Sequence, residues 1–560
     1  MAPFPTAIQE VRVQKLIASS LAALLVAGTL PIPAGAAGYS GGVETATPIK
    51  HLVVIFQENV SFDHYFGTYP YATNPFGEPA FVPAPGTPEV NGLNDYLLLD
   101  NPNLTNPANG AGASNPFRLD RSQAATADQD HDYTPEQQAF DHGLMDAFPV
   151  SVGTPGPPPS GGGIFATDGL TMGYFDGNTV TAYWNYAQRY AMSDNSYGTN
   201  FGPSTDGAVN LISGQLNGVI QDINPGGATI DDGYGGLTLI SDSDPVGDVC
   251  STTTGETVQF GGKNIGDLLN DKHITWGFFE GGFNLSIVNS NGTTGCKRST
   301  TSTVTNVKKA DYIPHHQPFQ YYASTANPGH VRPTSTATIG HQGDAANHQY
   351  DIQDFFTAVS AGNFPSISYL KAPGYQDAHA GYSDPLDDQT FVVNTINFLE
   401  KQPDWDSTAV VIAYDDSDGW YDHQIGKIVN SSYTAADMLD GTGICGDGNH
   451  ILPGIDPGTK HAQGRCGYGP RLPMLVISPW ARHNHVDHRI LDQTSVLRFV
   501  EDNWLRGKRI GDGSFDTITN SIDGMFDFHW PKNAGKFILD PNLGTVIDDT
   551  HGGGWGWGWW

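Results

Sequence analysis

Two β-branched apolar runs, Leu52-Val53-Val54-Ile55-Phe56 and Ala409-Val410-Val411-Ile412-Ala413, are each followed at once by acidic and amide side chains. A strand that is apolar at consecutive positions buries both of its faces, as strands do in parallel sheets covered on either side. Residues just past the carboxyl ends of such strands fall where open α/β sheets gather ligands. Glu58-Asn59 after the first run and Asp415-Asp416 after the second therefore read as two halves of one site. Further strand candidates at 365–370 and 472–478 alternate with helical patterns near 134–147, 204–214, 349–361, 388–402 and 492–505. That interspersion gives the α/β class.

The remaining sequence frames this site. A chain of 560 residues can bury a large core, and 68 glycines with 38 prolines leave much of it as loop. Segments 73–117 and 149–168 read as surface loops, and 223–310 and 425–466 as loop or insert regions. Each of the latter two carries two of the four cysteines. An even count suggests two disulfides, and proximity favours Cys250–Cys296 and Cys445–Cys466 among three possible pairings. Arg12 and Lys15 precede an apolar run, Leu16 to Leu30, and Ala34-Gly35-Ala36 offers small residues for cleavage. Residues 1–36 thus read as a signal peptide and the protein as exported, periplasmic or secreted. An uncleaved anchor is the weaker alternative, because the run is short and holds Ser19, Ser20 and Gly28. One catalytic domain is expected over 37–540, followed by a Gly/Trp-rich tail at 541–560 that would serve docking or secretion, or simply fray. The net charge of −32 argues against nucleic acid as a partner and against adsorption to an anionic membrane.

Glu58, Asn59, Asp415 and Asp416 together offer three carboxylates and an amide oxygen, a set suited to one hard divalent ion such as Mg²⁺, Ca²⁺ or Mn²⁺. The same residue types also cap turns after strands, so the spacing alone leaves both readings open. Ser204 follows Gly202-Pro203 and opens a helical segment. It is either an N-cap or a nucleophile with helix amides and a cation beside it. His131, His315-His316 and His379 lie in polar, Gly/Pro-punctuated loops. Each alone fits a surface or hydrogen-bonded histidine; together they could bind phosphoryl oxygens and protonate a leaving group. Asp422 and His423 could support the Asp415-Asp416 loop from behind. No G-x-S-x-G, H-E-x-x-H or P-loop motif occurs, which speaks against an ordinary lipase, a zincin and a P-loop NTPase.

The run from Ile49 through Gln57-Glu58-Asn59-Val60-Ser61-Phe62-Asp63-His64-Tyr65-Phe66-Gly67 resembles the opening signature of the bacterial phosphoesterase family. That family joins acid phosphatases with non-specific phospholipases C and is similar in fold to the alkaline phosphatase superfamily. Matches continue in order through Asp130-His131, Gly143-Leu144-Met145-Asp146, Met172-Gly173-Tyr174-Phe175, Gly202-Pro203-Ser204, His316-Gln317-Pro318-Phe319, Asp377-Ala378-His379, Tyr414-Asp415-Asp416, Gly469-Pro470-Arg471 and Ser478-Pro479-Trp480. The resemblance implies a three-layer α/β/α sandwich with a mostly parallel central sheet and long loop insertions. It implies one divalent metal ion held by Glu58, Asn59, Ser204, Asp415 and Asp416, with Ser204 also the nucleophile of a phosphoserine intermediate. His131, His316 and His379 would surround the phosphoryl group, and Glu280 falls near another acidic site residue. Two departures stand out: Asp206-Gly207-Ala208 replaces the usual Pro-Asn-Arg, and Asp416-Ser417-Asp418-Gly419 replaces Glu-His-Gly-Gly. The chain ends soon after Phe528-His529-Trp530, short of the larger phospholipases C, which favours the compact acid phosphatase branch. The expectation is an exported, metal-dependent phosphoric ester hydrolase acting on a phosphate-ester substrate. The alternatives are a phospholipase C with transient membrane contact and a non-catalytic phosphate-ester-binding protein.

Overall fold

Eight strands form the central sheet: β1 (His51–Gln57), β2 (Ala191–Ser193), β3 (Trp276–Glu280), β4 (Gln349–Asp351), β5 (Ile367–Lys371), β6 (Thr408–Tyr414), β7 (Met474–Ile477) and β8 (His485–Asp487). Their spatial order is β4-β3-β5-β1-β6-β7-β2-β8. Only β7 runs antiparallel to its neighbours, β6 and β2; the other pairings are parallel. The computed structural model describes residues 44–158, 162–233, 235–454 and 465–550. Contacts divide the chain into Met1–Gly42, which lies outside the described residues, and one compact unit, Val43–Trp560. The expected signal peptide and the last ten residues of the Gly/Trp tail also lie outside the described residues. Ahead of them, Val546–Asp549 pairs antiparallel with Phe537–Leu539.

Every residue of β3, β5 and β6 is buried, as is all of β1 except His51. Strands buried on both faces require cover on both faces, so the sheet is the middle layer of the α/β fold. The described helices include α1 (Tyr133–Phe140), α2 (Thr181–Arg189), α3 (Ser204–Ser213), α4 (Ile352–Ser360), α5 (Pro385–Leu399) and α6 (Thr494–Trp504). Helix α3 packs on α6, and α2 packs on α5. Local chemistry sets their ends. Asp384 caps α5 by accepting the N–H groups of Leu386 and Asp387 at 2.8 and 3.1 Å, with Pro385 at the first helical position.

All four expected strands are present. Of the expected helices, 349–361 is two elements: Gln349–Asp351 is edge strand β4, and Asp351 then caps α4. The segment 134–147 stops at Phe140 because Asp141, His142 and Gly143 turn to φ of 38°, 55° and 86°. Within 223–310, read as loop, Trp276–Glu280 is a central strand. Its aromatic sequence lacks β-branched residues, and Gly277 is needed because a Cβ there would meet the Phe279 and Tyr350 rings within 2.9 Å. The disulfides are Cys250–Cys296 and Cys445–Cys466, the pairing favoured by proximity. Among the described residues no helix is long and apolar enough to cross a membrane.

Two buried carboxyls near α5 give a pH prediction. Asp388 accepts from Gln57 Nε2 at 2.6 Å and from the Tyr183 hydroxyl, and burial pushes its pKa from 3.8 up to about 7. Glu400 accepts from Phe537 N–H at 2.6 Å, and burial likewise lifts it from 4.5 to about 7. The folded state therefore keeps protons that the unfolded chain releases. This contribution to stability is full below the unfolded values and is lost as pH rises through about 7. The melting temperature should fall between about pH 5 and about pH 7.5, and Asp388→Asn should flatten that slope. An unchanged slope in the variant would refute the assignment.

Candidate active site

Strands β1 and β6 are paired in register from His51↔Thr408 to Gln57↔Tyr414, so Glu58-Asn59 and Asp415-Asp416 emerge side by side at the carboxyl edge. Asn59 takes the left-handed conformation, φ 63°. That turn lets its N–H reach Asp415 Oδ1 at 2.9 Å and its Nδ2 reach Asp418 Oδ1 at 2.8 Å. Asp415 Oδ1 also accepts the Asp416 N–H at 2.7 Å, and Asp416 Oδ1 accepts the Asp418 N–H at 2.7 Å. Each inward carboxylate is thus pinned by one oxygen and presents the other.

Ser204 completes the group. It is the first residue of α3, Pro203 occupies the N-cap position, and the serine side chain makes no capping hydrogen bond. Its hydroxyl lies 2.9 Å from Glu58 Oε2 and 3.2 Å from Asp416 Oδ2. The capping alternative therefore fails. The substituted segment after Ser204 also has a structural reason. A Cβ on Gly207 would lie 2.2 Å from the Asp415 carbonyl oxygen, so only glycine lets α3 run this close to the second acidic loop. Asp206 accepts from Arg465 at 3.3 Å, and Thr205 N–H donates to Asp242 at 2.9 Å. Gly207→Ala should push the loop away from Ser204 and lower turnover by roughly a hundredfold, measured on folded protein; unchanged turnover would show that the close approach is dispensable.

Glu58, Asn59, Ser204, Asp415 and Asp416 all offer oxygen donors, and each of these residues is at most 2 % exposed. Asn59 Oδ1 and Asp415 Oδ2 are buried without hydrogen-bond partners. Burial and the neighbouring Glu58 raise Asp415 well above the usual carboxylate range, and burial lifts Asp416 to about 7. Orphaned acceptors and crowded buried carboxyls fit a hard divalent cation, which these five residues could hold.

The three expected histidines surround this set. His316 Nε2 is 3.4 Å from Glu58 Oε2, and burial drives its pKa well below normal. His131 Nδ1 bonds the Gln129 carbonyl at 2.9 Å. Burial opposes its charge, yet Asp416, Asp418 and Asp128 together raise its pKa well above normal. His379 Nδ1 bonds the Ala380 carbonyl at 2.7 Å, its ring centroid is 5.9 Å from that of His131, and burial lowers its pKa. Glu280 ends β3, which β5 separates from β1. One oxygen accepts the Ile313 N–H at 3.3 Å, and burial raises its pKa well above normal. It touches none of the five oxygen donors. Asp422 and His423 act at a distance from the oxygen set: Arg471 binds Asp63 Oδ1 at 2.9 Å and Asp422 Oδ2 at 3.1 Å, and His423 Nδ1 meets Asp63 Oδ2 at 2.6 Å. The support they give the loop runs through Arg471.

Two further residues have no counterpart in the sequence reading. Lys371, fully buried at the end of β5, contacts Glu58 Oε1 and stands 3.6 Å from Asp415 Oδ2. Burial alone would raise Glu58, but His316 and Lys371 hold it well below the carboxylate range. A lysine ending an apolar strand at the same edge was the available signal. Glu136, buried on α1, accepts the Gly202 N–H at 3.0 Å and the Ser417 hydroxyl at 2.6 Å, and burial lifts its pKa to about 8. It ties the serine loop to the second acidic loop.

Residues 49–505 match the model of the Phosphoesterase family. The chain is 24% identical over 465 residues to a non-hemolytic phospholipase C of Burkholderia pseudomallei, a match covering 82% of this chain and 55% of that protein. It is 24% identical over 550 residues to phospholipase C A of Mycobacterium tuberculosis, covering 95% of this chain and 88% of that one. A solved structure of an alkaline phosphatase superfamily protein from Vibrio parahaemolyticus aligns with 58% of this chain and 60% of its own at 13% identity and a TM-score of 0.25, too low to bear on the fold. With its β-strand, serine and second acidic loops all inside the matched span, the chain belongs to the phosphoesterase family.

Proposed function

We propose that this chain is an exported, metal-dependent phosphoric ester hydrolase in which Ser204 attacks phosphorus. The observation that carries this reading is the Ser204 hydroxyl, held between Glu58 and Asp416 at the first position of α3. Glu58, Asn59, Ser204, Asp415 and Asp416 would hold the ion, with Mg²⁺, Ca²⁺ and Mn²⁺ the fitting choices for an all-oxygen set. When bound, the ion supplies Lewis-acid stabilisation of phosphoryl charge and favours the ionised serine. Glu58 and Asp416 orient the hydroxyl. His131, His316 and His379 line the phosphoryl side, and one of them gives a proton to the departing oxygen. Water then releases phosphate from the phosphoserine.

Monoesters are the first reading for substrate. Phosphodiester headgroups are the second, favoured by the relatives whose names are phospholipase C. The two disulfides and the apolar N-terminal segment support export. The deciding assay compares p-nitrophenyl phosphate with p-nitrophenyl phosphorylcholine, with and without chelator. Hydrolysis of neither ester, or full activity in chelator, would overturn the proposal.

A further inference from the structure

Lys309 lies on a strand, Lys308–Ala310, paired antiparallel with Ser299–Thr301. Its ammonium sits 3.6 Å from the centroid of the Tyr382 ring. Tyr382 stacks on His379 at 4.3 Å and donates its hydroxyl to Asp377 Oδ2 at 3.1 Å. Asp377 Oδ2 is in turn 3.9 Å from His316 Nδ1. Lys309 is therefore linked through Tyr382 to His379, and through Asp377 to His316, two of the histidines of the candidate site.

The lysine is half-buried, and among the described residues no hydrogen bond or ion pair engages its ammonium. The other cations near the site are already occupied. Lys371 contacts Glu58, and Arg465 binds Asp206 and the Phe201 carbonyl while lying over the Tyr133 ring at 3.3 Å. A partly desolvated ammonium that rests on an aromatic face, with Asp377 nearby but not hydrogen-bonded to it, gains from an anion that offers a free oxygen.

We propose that Lys309 is the anion anchor of the active-site mouth and selects doubly charged phosphate monoesters over singly charged diesters. This rests on the phosphoric ester hydrolase reading above. A monoester at neutral pH presents one more charged oxygen than a diester, and that oxygen faces Lys309 while Ser204 meets phosphorus. The ring of Tyr382 fixes the ammonium, so little side-chain freedom is lost on binding.

The test uses the metal-loaded protein, titrated calorimetrically with inorganic phosphate. Lys309→Met should weaken phosphate binding about tenfold, and Lys309→Arg should stay within about threefold of the parent. In kinetics, Lys309→Met should raise KM for p-nitrophenyl phosphate about tenfold with little change in kcat, and change kcat/KM for p-nitrophenyl phosphorylcholine less than about threefold. Unaltered phosphate affinity in Lys309→Met would overturn the anchor. Equal losses on both esters would overturn the selection. Should the parent hydrolyse neither ester, the hydrolase reading fails by itself, and the phosphate titration still decides whether Lys309 binds the anion.

Discussion

Ser204→Ala is expected to lower turnover by roughly a thousandfold or more, on the order of 4 kcal/mol of barrier, while the protein stays folded. Among the described residues, the Ser204 hydroxyl is the one that lies against both Glu58 Oε2 and Asp416 Oδ2, so under the proposed mechanism no neighbouring hydroxyl replaces it. Its stability effect should be small. It caps nothing, and the variant loses one hydrogen bond to a charged pair, a matter of about 1–3 kcal/mol. Steady-state rates and a denaturant midpoint separate the two quantities. Residual activity within tenfold of the parent, on protein with a normal midpoint, would remove Ser204 from the nucleophile role.

The second large effect concerns stability. Arg471→Met should destabilise the fold by about 3–5 kcal/mol, because it strands buried Asp63 and Asp422 without their shared cation. The guanidinium also bonds the backbone carbonyls of Asn91 and Asp194 at 2.7 and 3.0 Å, so four segments lose a common partner. Replacing Asp63, Asp422 and Arg471 together by apolar residues should recover part of the loss, since the charges are then absent rather than unpaired. Urea unfolding of the single and triple variants checks this. A single-variant loss below about 1 kcal/mol would mean that the network is ornamental.

What the sequence disclosed follows from how each element is stabilised. Strands β1 and β6 carry unbroken β-branched runs because both of their faces are buried, and their acidic ends could be placed without a structure. Strands β2, β4 and β8 are three residues each, and their pairing comes from neighbours rather than from their own pattern. That Glu58-Asn59, Ser204 and Asp415-Asp416 would lie close together was legible because each sits at the edge of a recognisable element. Lys371 offered only its place at the end of an apolar strand, and its meaning depends on β5 lying beside β1. Glu136 has no local pattern to mark it, because its role comes from Gly202 and Ser417, which only tertiary packing brings to it.

Lys371 has a consequence for the order of assembly. An ammonium from the chain itself already stands against Glu58 and near Asp415, so the crowded carboxylates are partly neutralised before any ion arrives. Under the proposed metal-dependent reading, the polypeptide is expected to complete its fold in surroundings poor in divalent ions and to take up the ion afterwards. Chelator-treated protein should keep its far-UV circular dichroism and its cooperative unfolding transition, and regain activity on adding Mg²⁺, Ca²⁺ or Mn²⁺ without a refolding step. Loss of the cooperative transition on chelation would instead make the ion part of the folding reaction.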